Sequence, residues 1–437
     1  MNRRYAAILI ALIVAIVAMF CSRDRKRFFT HEGVVWTTEY HITYEARNDL
    51  GDSIQLILGN LDMSVSPYNK ASLISAINEN KTTRTDGHLQ RLLTASREIW
   101  RESGGAFDPT VMPLVNAWGF GFKSGTLPSR AQLDSLLLFV GMDKVTLHGD
   151  TLLKSDPRVM LDFSSIAKGM ACDEIGRMLA RNGAENWLVE IGGEVMASGV
   201  NNHGKPWHVS VDMPSDDEAN SHESALVLTL DSGAVATSGN YRKWRIEEGN
   251  KLSHIIDPHT GDSRTGTLLS VTVIANDCMT ADAWATACMV MGEDNVKNMM
   301  GKRNDLGVMT ISADTVSGSL VVWSMPRLPK GLINRISRSS RTSRASSWSR
   351  AVYWATMSSM PRSSILLTTL GETPASVMMI STASMSAILA KPRLPNLLLS
   401  ARTIVFWAAA IIFWFNVASR MSVVVMPNSK SIPSTPK

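Results

Sequence analysis

Five stretches of the 437-residue chain concentrate residues whose types and spacing could do chemistry. They are MSVSPYNKASLISAIN from Met63 to Asn78, GAFDPTVMPLVNAWGFG from Gly105 to Gly121, LDFSSIAKGMACD from Leu161 to Asp173 with EIGGEV close behind at Glu190, ATSGNYRKW at Ala236 leading to HIIDPHTG at His254, and TADAWATA from Thr280 to Ala287. The last is the most specific in chemical terms. Asp282 and Thr286 lie four apart and so share one face of a helix. A carboxylate beside a hydroxyl there suits a small hard cation of the Mg²⁺ type. Taken singly, each stretch also has a plainer reading. DPT is a turn, because proline restricts its neighbour and aspartate caps the next residues. EIGGEV is a strand kinked by two glycines. DPHTG is an ordinary turn, and Asp282 is a surface carboxylate next to an indifferent threonine.

The elements that must position these residues follow from periodicity. Leu89, Leu92, Leu93, Ser96, Ile99 and Trp100 recur at helical spacing, and Gly104-Gly105 end that helix. A second helix is expected from about Ser129 to Phe139. A third runs from Ile166 to Arg181, with Ala171, Ile175, Met178 and Leu179 as its apolar stripe and Asn182-Gly183 as its stop. Strands are expected at Trp187–Ile191, Trp207–Val211, Leu226–Leu230, Leu269–Ile274 and Leu320–Trp323. Asn276 or Asp277 caps a further helix that continues to about Met291. The pattern predicts an α+β fold: a single large domain with mixed β-sheets and packed helices.

In order and spacing the five stretches together resemble the FAD:protein FMN transferases, the ApbE-type flavin transferase family, over about Trp36 to Leu332. The resemblance implies an enzyme that splits FAD and attaches its FMN half to another protein. It also implies roles for individual residues. Tyr68 of Ser66-Pro67-Tyr68 would lie against the flavin, with Met63 also assigned to the cofactor. Asn116, Ala117, Trp118 and Gly119 would line the FAD pocket largely by backbone. Asp162 and Lys168 match FAD-contacting positions, and Ile255 and Ile256 would touch the cofactor. His254 and Asp257 would sit near the diphosphate. The Ser165 carbonyl, Asp282 and Thr286 would hold Mg²⁺. Three positions depart from the family pattern: Ala117 replaces leucine, Phe163 replaces leucine, and Ser164-Ser165 stand where glycine or alanine is usual.

Elementary chemistry agrees with that assignment. The donor is a diphosphate, and Lys168, one turn into its helix, meets that charge together with the positive end of the helix dipole. A cation held by few protein groups keeps room for phosphate oxygens and neutralises the AMP leaving group. His254 is the general-base candidate on residue type, because neutral imidazole is available near neutral pH. Asp257 is expected to orient it, and the catalytic set is then His254, Asp257 and Asp282. The resemblance implies that the acceptor is a Thr or Ser hydroxyl on an exported protein. The resemblance implies subunits of ion-pumping electron-transport complexes. Two alternatives stay open: an FAD pyrophosphatase giving FMN and AMP, and a non-catalytic flavin carrier, for which Ser164-Ser165 is the only support.

Composition frames the rest. Formal net charge is +5, but the residues after Ile333 hold a dozen Arg and Lys and one acid, Glu372, so the preceding chain is net acidic. The basic balance therefore gives no reason to expect a nucleic-acid partner. Four cysteines, Cys21, Cys172, Cys278 and Cys288, form neither a metal-type pair nor a disulfide scaffold. Arg3 and Arg4 precede an apolar run from Ala6 to Phe20 that ends at Cys21. Residues 1–21 thus read as a signal peptide or membrane anchor, with Cys21 as a lipid-bearing residue or the run as an uncleaved helix. This places the protein at the bacterial inner membrane with its catalytic domain facing the periplasm. Residues 22–33 read as a spacer and 34–332 as the FAD-binding domain. Residues 333–437 are Ser- and Arg-rich, lack periodicity, and read as lying outside the fold, more like out-of-frame translation than a selected module. Their apolar run from Ile404 to Phe415 would be a second membrane segment on the rival reading. A chain stopping at Ile333 is expected to be as soluble and active as the whole.

Overall fold

The computed structural model describes residues 26–121, 127–214, 224–240, 244–247, 250–263, 266–300, 303–314, 319–325 and 333–338. The centre is an eight-stranded sheet in the order β1-β2-β5-β6-β9-β12-β13-β14. Its strands are β1 (Arg27–Val35), β2 (Thr38–Ala46), β5 (Trp187–Ile191), β6 (Glu194–Ser198), β9 (Ser232–Gly239), β12 (Leu268–Ala275), β13 (Gly307–Ala313) and β14 (Leu320–Ser324). A three-stranded sheet combines β7 (Trp207–Asp212), β8 (Ser224–Leu230) and β15 (Ile333–Arg338), and two hairpins, β3 (Val145–His148) with β4 (Thr151–Lys154) and β10 (Trp244–Glu247) with β11 (Asn250–Ser253), complete the β structure. Every described pairing is antiparallel, so the expectation of mixed sheets narrows to antiparallel ones.

Alternation assigns the two faces of the large sheet. On β2, Tyr40, Ile42, Tyr44 and Ala46 point to one side and are buried in the main core. On β12, Val271 and Val273 join that core, whereas Ile274 points to the opposite face. There it meets Val195, Val235 and Met309 of the large sheet and Trp207, Val209, Leu228 and Leu230 of the small one. Helices therefore cover one face of the central sheet and a second sheet covers the other. A strand buried on both sides loses the usual polar alternation, which is why β12 reads as an almost continuous apolar run.

Eight helices pack around this frame in the described residues: α1 (Gly51–Val65), α2 (Leu73–Asn78), α3 (Gly87–Glu102), α4 (Met112–Ala117), α5 (Arg130–Leu137), α6 (Ala167–Arg181), α7 (Cys278–Met291) and α8 (Glu293–Met300). The termini expected for the chemistry-bearing helices hold to within a residue. Asp277 caps α7 by accepting from the Thr280 N–H at 2.9 Å. Ser129 and Gln132 form a capping box on α5. Helix α7 is buried nearly all round, from Ala281 through Ala285 and again at Ala287 and Cys288, as expected of a central helix. Its small residues let it lie against α6. A Cβ built on Gly169 of α6 would fall 2.3 Å from the Cys278 carbonyl oxygen and 2.8 Å from the Met279 Cα. The Asp173 carboxylate reinforces this contact by accepting from the Cys278 N–H at 2.7 Å and the Met279 N–H at 3.1 Å. Cys172, Cys278 and Cys288 are buried free thiols.

Both boundaries of the domain shift. Residues 27–33, expected in the spacer, form most of β1, which pairs with β2 along its whole length. This edge strand is half exposed; Phe29 and Val35 pack against the main core and Phe28 against the second, while the charged and polar residues between them break the apolar pattern. Its turn is unusual: Trp36 and Thr37 both take positive φ, 50° and 64°, in a two-residue hairpin that normally selects Asn or Gly. The Trp36 indole N–H is held by Asp62 at 3.0 Å. At the other end, β15 pairs with β8 from Ile333 to Arg338, past the boundary expected at 332. A chain ending at Ile333 would strip that partner from β8. Residues 339–437 and 1–25, including both apolar runs, lie outside the described residues. Among those described, no helix is long and apolar enough to cross a membrane.

Gly169→Ala is expected to destabilise the protein by about 1–3 kcal/mol, because the new methyl meets backbone rather than a movable side chain. Denaturant unfolding of the variant checks this, and unchanged stability would mean that α6 and α7 do not meet as closely as described.

Candidate active site

The turn between β5 and β6 starts the site. Ile191 pairs with Glu194 across Gly192 and Gly193, whose φ values of 61° and 95° fit the two-residue hairpin that glycine permits. EIGGEV is thus a hairpin rather than a strand with a kink. Its tip places Glu194 at the first position of β6, 3% exposed. Lys168, in the first turn of α6, reaches Glu194 with its Nζ 2.6 Å from Oε1. The same Nζ stands 3.9 Å from Oδ1 of Asp282 on α7. The Asp282 side chain is only 3% exposed, whereas that of Lys168 keeps 27% of its surface open. Part of the Lys168 side chain therefore reaches the surface, while the carboxylate it faces does not.

Electrostatics within this triad compete. Burial pulls the Lys168 ammonium toward neutrality, but Asp282 and Glu194 outweigh it and hold the group charged, above its ordinary range. Burial pushes the Asp282 carboxyl up, opposed by Lys168 and by the Gly169 N–H that Oδ2 accepts at 3.1 Å. That last bond has a second consequence. In a continued helix the Gly169 N–H would go to the carbonyl of Ser165, four residues back. Here it goes to Asp282, and α6 begins at Ala167. One turn along α7 from Asp282, the Thr286 hydroxyl lies 3.1 Å from that of Ser238 on β9. Asp282 and Thr286 thus lie one turn apart on one helix, as their spacing predicts, and Ser165 precedes the first residue of α6 by two positions. Ser238, from ATSGNYRKW, was not singled out by sequence.

A second group gathers at the loop before α6. Asp162 accepts from both the N–H of Ser164 at 2.8 Å and its hydroxyl at 2.5 Å, and its own N–H goes to the Pro109 carbonyl at 2.7 Å. Burial pushes the Asp162 carboxyl up, and Ser164 opposes that shift. Tyr68 approaches the same pair: its hydroxyl bonds Ser164 and feels the Asp162 charge, while the residue stays 57% exposed. Its ring is therefore open to a stacking partner. The departure at Ser164 has a use here, since its hydroxyl fixes Asp162. Met63 accepts at its sulfur from the Asn69 amide, one residue after Tyr68, at 3.5 Å, and lines a cleft of about 510 Å³ with Asn60, Ser64, Asp86, His88 and Arg91.

The third group is built on HIIDPHTG. The indole N–H of Trp118, after α4, donates to the Gly261 carbonyl at 2.7 Å. Ser253 and Ser263 close the segment by two bonds of 2.8 and 2.7 Å. Asn116, Ala117, Trp118 and Gly119 are half-buried at this rim, and Gly119 has φ 75°. His254 is half-buried, its ring edge-on to Phe120 at 6.5 Å between centroids. Ile255 and Ile256 are 6% and 5% exposed, with side chains in two different core clusters. A cofactor contact from them would come from backbone. Asp257 differs from expectation. Its Oδ1 accepts the His259 N–H at 2.9 Å and lies 3.1 Å from His259 Nδ1, and His259 Nε2 faces the Gly104 carbonyl at 2.9 Å. An aspartate two residues before a histidine turns back on it, so these contacts make Asp257 a brace for the turn through His259.

Comparison with known proteins gives the same picture. A sequence model described as the ApbE family matches residues 36–310. A Vibrio cholerae protein named FAD:protein FMN transferase is 35% identical over 297 residues, covering 65% of this chain and 88% of its own. A Haemophilus influenzae protein of the same name is 33% identical, covering 70% and 92%. The solved flavin transferase ApbE from Vibrio cholerae superposes with a TM-score of 0.62 at 31% identity, covering 69% of this chain and 97% of that one. The chain belongs to the ApbE family of flavin transferases.

Proposed function

We propose that the protein transfers FMN from FAD to a Thr or Ser hydroxyl of an acceptor protein and releases AMP, in a Mg²⁺-dependent reaction. The observation that carries this reading is the Lys168 ammonium in the first turn of α6, held charged by Asp282 and Glu194 at 3.9 and 2.6 Å. An anionic substrate is what such a group attracts. Named relatives are FAD:protein FMN transferases, and that activity suits the three groups of residues. Tyr68 offers an aromatic face for the isoalloxazine. Lys168 and the start of α6 meet the diphosphate.

The donor set fits a hard cation. Asp282 supplies a carboxylate, Thr286 a hydroxyl, and Ser165 a carbonyl not taken by the Gly169 N–H. Among the described residues no cluster of three or more His, Cys, Asp or Glu is placed to hold a metal. An all-oxygen set with a single carboxylate matches Mg²⁺, which keeps water and phosphate oxygens in its remaining positions. When bound, Mg²⁺ would neutralise charge on the diphosphate. In the reaction the acceptor oxygen bonds to the FMN phosphorus, the bridging P–O bond breaks, and AMP leaves. The acceptor's proton goes to His254. The N-terminal apolar run supports a location for this chemistry on the periplasmic side of the inner membrane, where exported subunits of ion-pumping electron-transport complexes are the acceptors.

Two substitutions test the assignment. Asp282→Ala is expected to abolish transfer to an acceptor peptide while FAD still binds, read by flavin fluorescence titration. Near-normal turnover in Mg²⁺ buffer would remove Asp282 from the site. His254→Asn is expected to slow transfer about 10²–10⁴-fold with FAD affinity little changed. A pH–rate profile whose acidic limb is the same in the variant and the parent would exclude His254 as the base.

A further inference from the structure

Glu194 has no role in the chemistry described so far, yet it is among the most deeply buried charges in the protein, 3% exposed. A carboxylate is placed there only against a compensating charge. Its compensation is Lys168, at 2.6 Å, and Lys168 has a second carboxylate, Asp282, at 3.9 Å. The ammonium therefore sits closer to Glu194. Asp282 is left with one oxygen bound by the Gly169 N–H and the other, Oδ1, beyond close ion-pair contact with Lys168. The backbone enforces the asymmetry. Glu194 is fixed by the Gly192-Gly193 hairpin and by β6, which pairs with both β5 and β9. Asp282 is fixed by α7, which Gly169 and Asp173 lock to α6.

We propose that Glu194 is a positioning residue whose task is to hold Lys168 away from Asp282, so that Oδ1 of Asp282 stays open for the divalent cation. Without the Glu194 charge, Lys168 keeps a single buried carboxylate partner and closes on it. A cation must then break an ion pair to bind. Lys168 would also leave the place where it meets the diphosphate, so one lost charge disturbs both the metal and the phosphate side of the site. The inference rests on the reading of Asp282 as a metal ligand, and it extends that reading to a residue from a different strand.

The test uses the full-length protein and Mg²⁺ alone, without FAD or acceptor. Isothermal titration of Glu194→Gln is expected to show Mg²⁺ affinity reduced about 10- to 100-fold relative to the parent, the range typical of lost supporting contacts at metal sites. Removing the competitor as well, in Glu194→Gln/Lys168→Met, is expected to restore the affinity. A crystal structure of metal-free Glu194→Gln is expected to show Lys168 Nζ moved from 3.9 Å to an ion-pair distance of about 2.8 Å from Asp282. Glu194→Asp, which keeps the charge, reports on folding and is expected to lose less affinity than the glutamine variant. Parent-like Mg²⁺ affinity in Glu194→Gln, or a double variant as weak as the single one, overturns the proposal. A Lys168 that stays in place in the crystal structure does so too. If the parent itself binds no Mg²⁺, the metal reading fails, and the position of Lys168 in the Glu194→Gln crystal structure still decides what Glu194 does.

Discussion

The contact between α6 and α7 is the constraint on which the site depends. It brings Lys168 and Asp282 to within 3.9 Å of each other, and Glu194 at 2.6 Å from Lys168 supplies the close compensation without which a buried ion costs several kcal/mol. Lys168 and Asp282 are brought near each other by a glycine, Gly169, that leaves no room for even a methyl group against the start of α7. The same glycine donates its N–H to Asp282. Packing and charge placement are thus set by one residue. Asp173 adds a carboxylate at the amino end of α7, where exposed N–H groups and the helix dipole favour negative charge. Burial pushes that carboxyl up to about 6 against the pull of those two N–H groups.

The central sheet supplies the rigidity that this arrangement requires. β12, buried on both faces, lies between β9 and β13 and anchors the floor on which α7 rests. β9 presents Ser238 to Thr286 from that floor, and β6 presents Glu194 to Lys168. Residues on strands and on two locked helices hold their positions better than residues on loops. The more open parts, Tyr68 and the rim from Asn116 to His254, lie on turns and helix ends. That division fits a fixed electrostatic centre for the diphosphate and a more adaptable rim for the flavin and its acceptor.

Much of this was legible in the chain, and the legible part was local. The limits of α6 and α7 followed from apolar period and from Asp277, because capping and periodicity act within a few residues. The face shared by Asp282 and Thr286 followed from helical geometry alone. Contacts made across the fold were not legible. Glu194 lies in a stretch that was noticed, but its partner is 26 positions away on another element. Ser238 meets Thr286 only through sheet order. β1 and β15 add to the sheets by pairing with β2 and β8, and the polar residues that interrupt the apolar ones in β1 leave no clean alternation to read. The bracing of His259 by Asp257 two residues before it was not read from the chain, although a short Asp turn is a local feature.

Three activities share this site on chemical grounds: transfer to a protein hydroxyl, hydrolysis by water, and simple flavin carriage. They differ in what becomes of the FMN phosphorus. The most direct measurement is intact-mass analysis of an acceptor protein incubated with the full-length enzyme, FAD and Mg²⁺, with nucleotides quantified in the same sample. Transfer requires that the acceptor gain one FMN in phosphodiester linkage at a Thr or Ser, with one AMP released for each. An unmodified acceptor beside free FMN and AMP, or beside intact FAD, would contradict it.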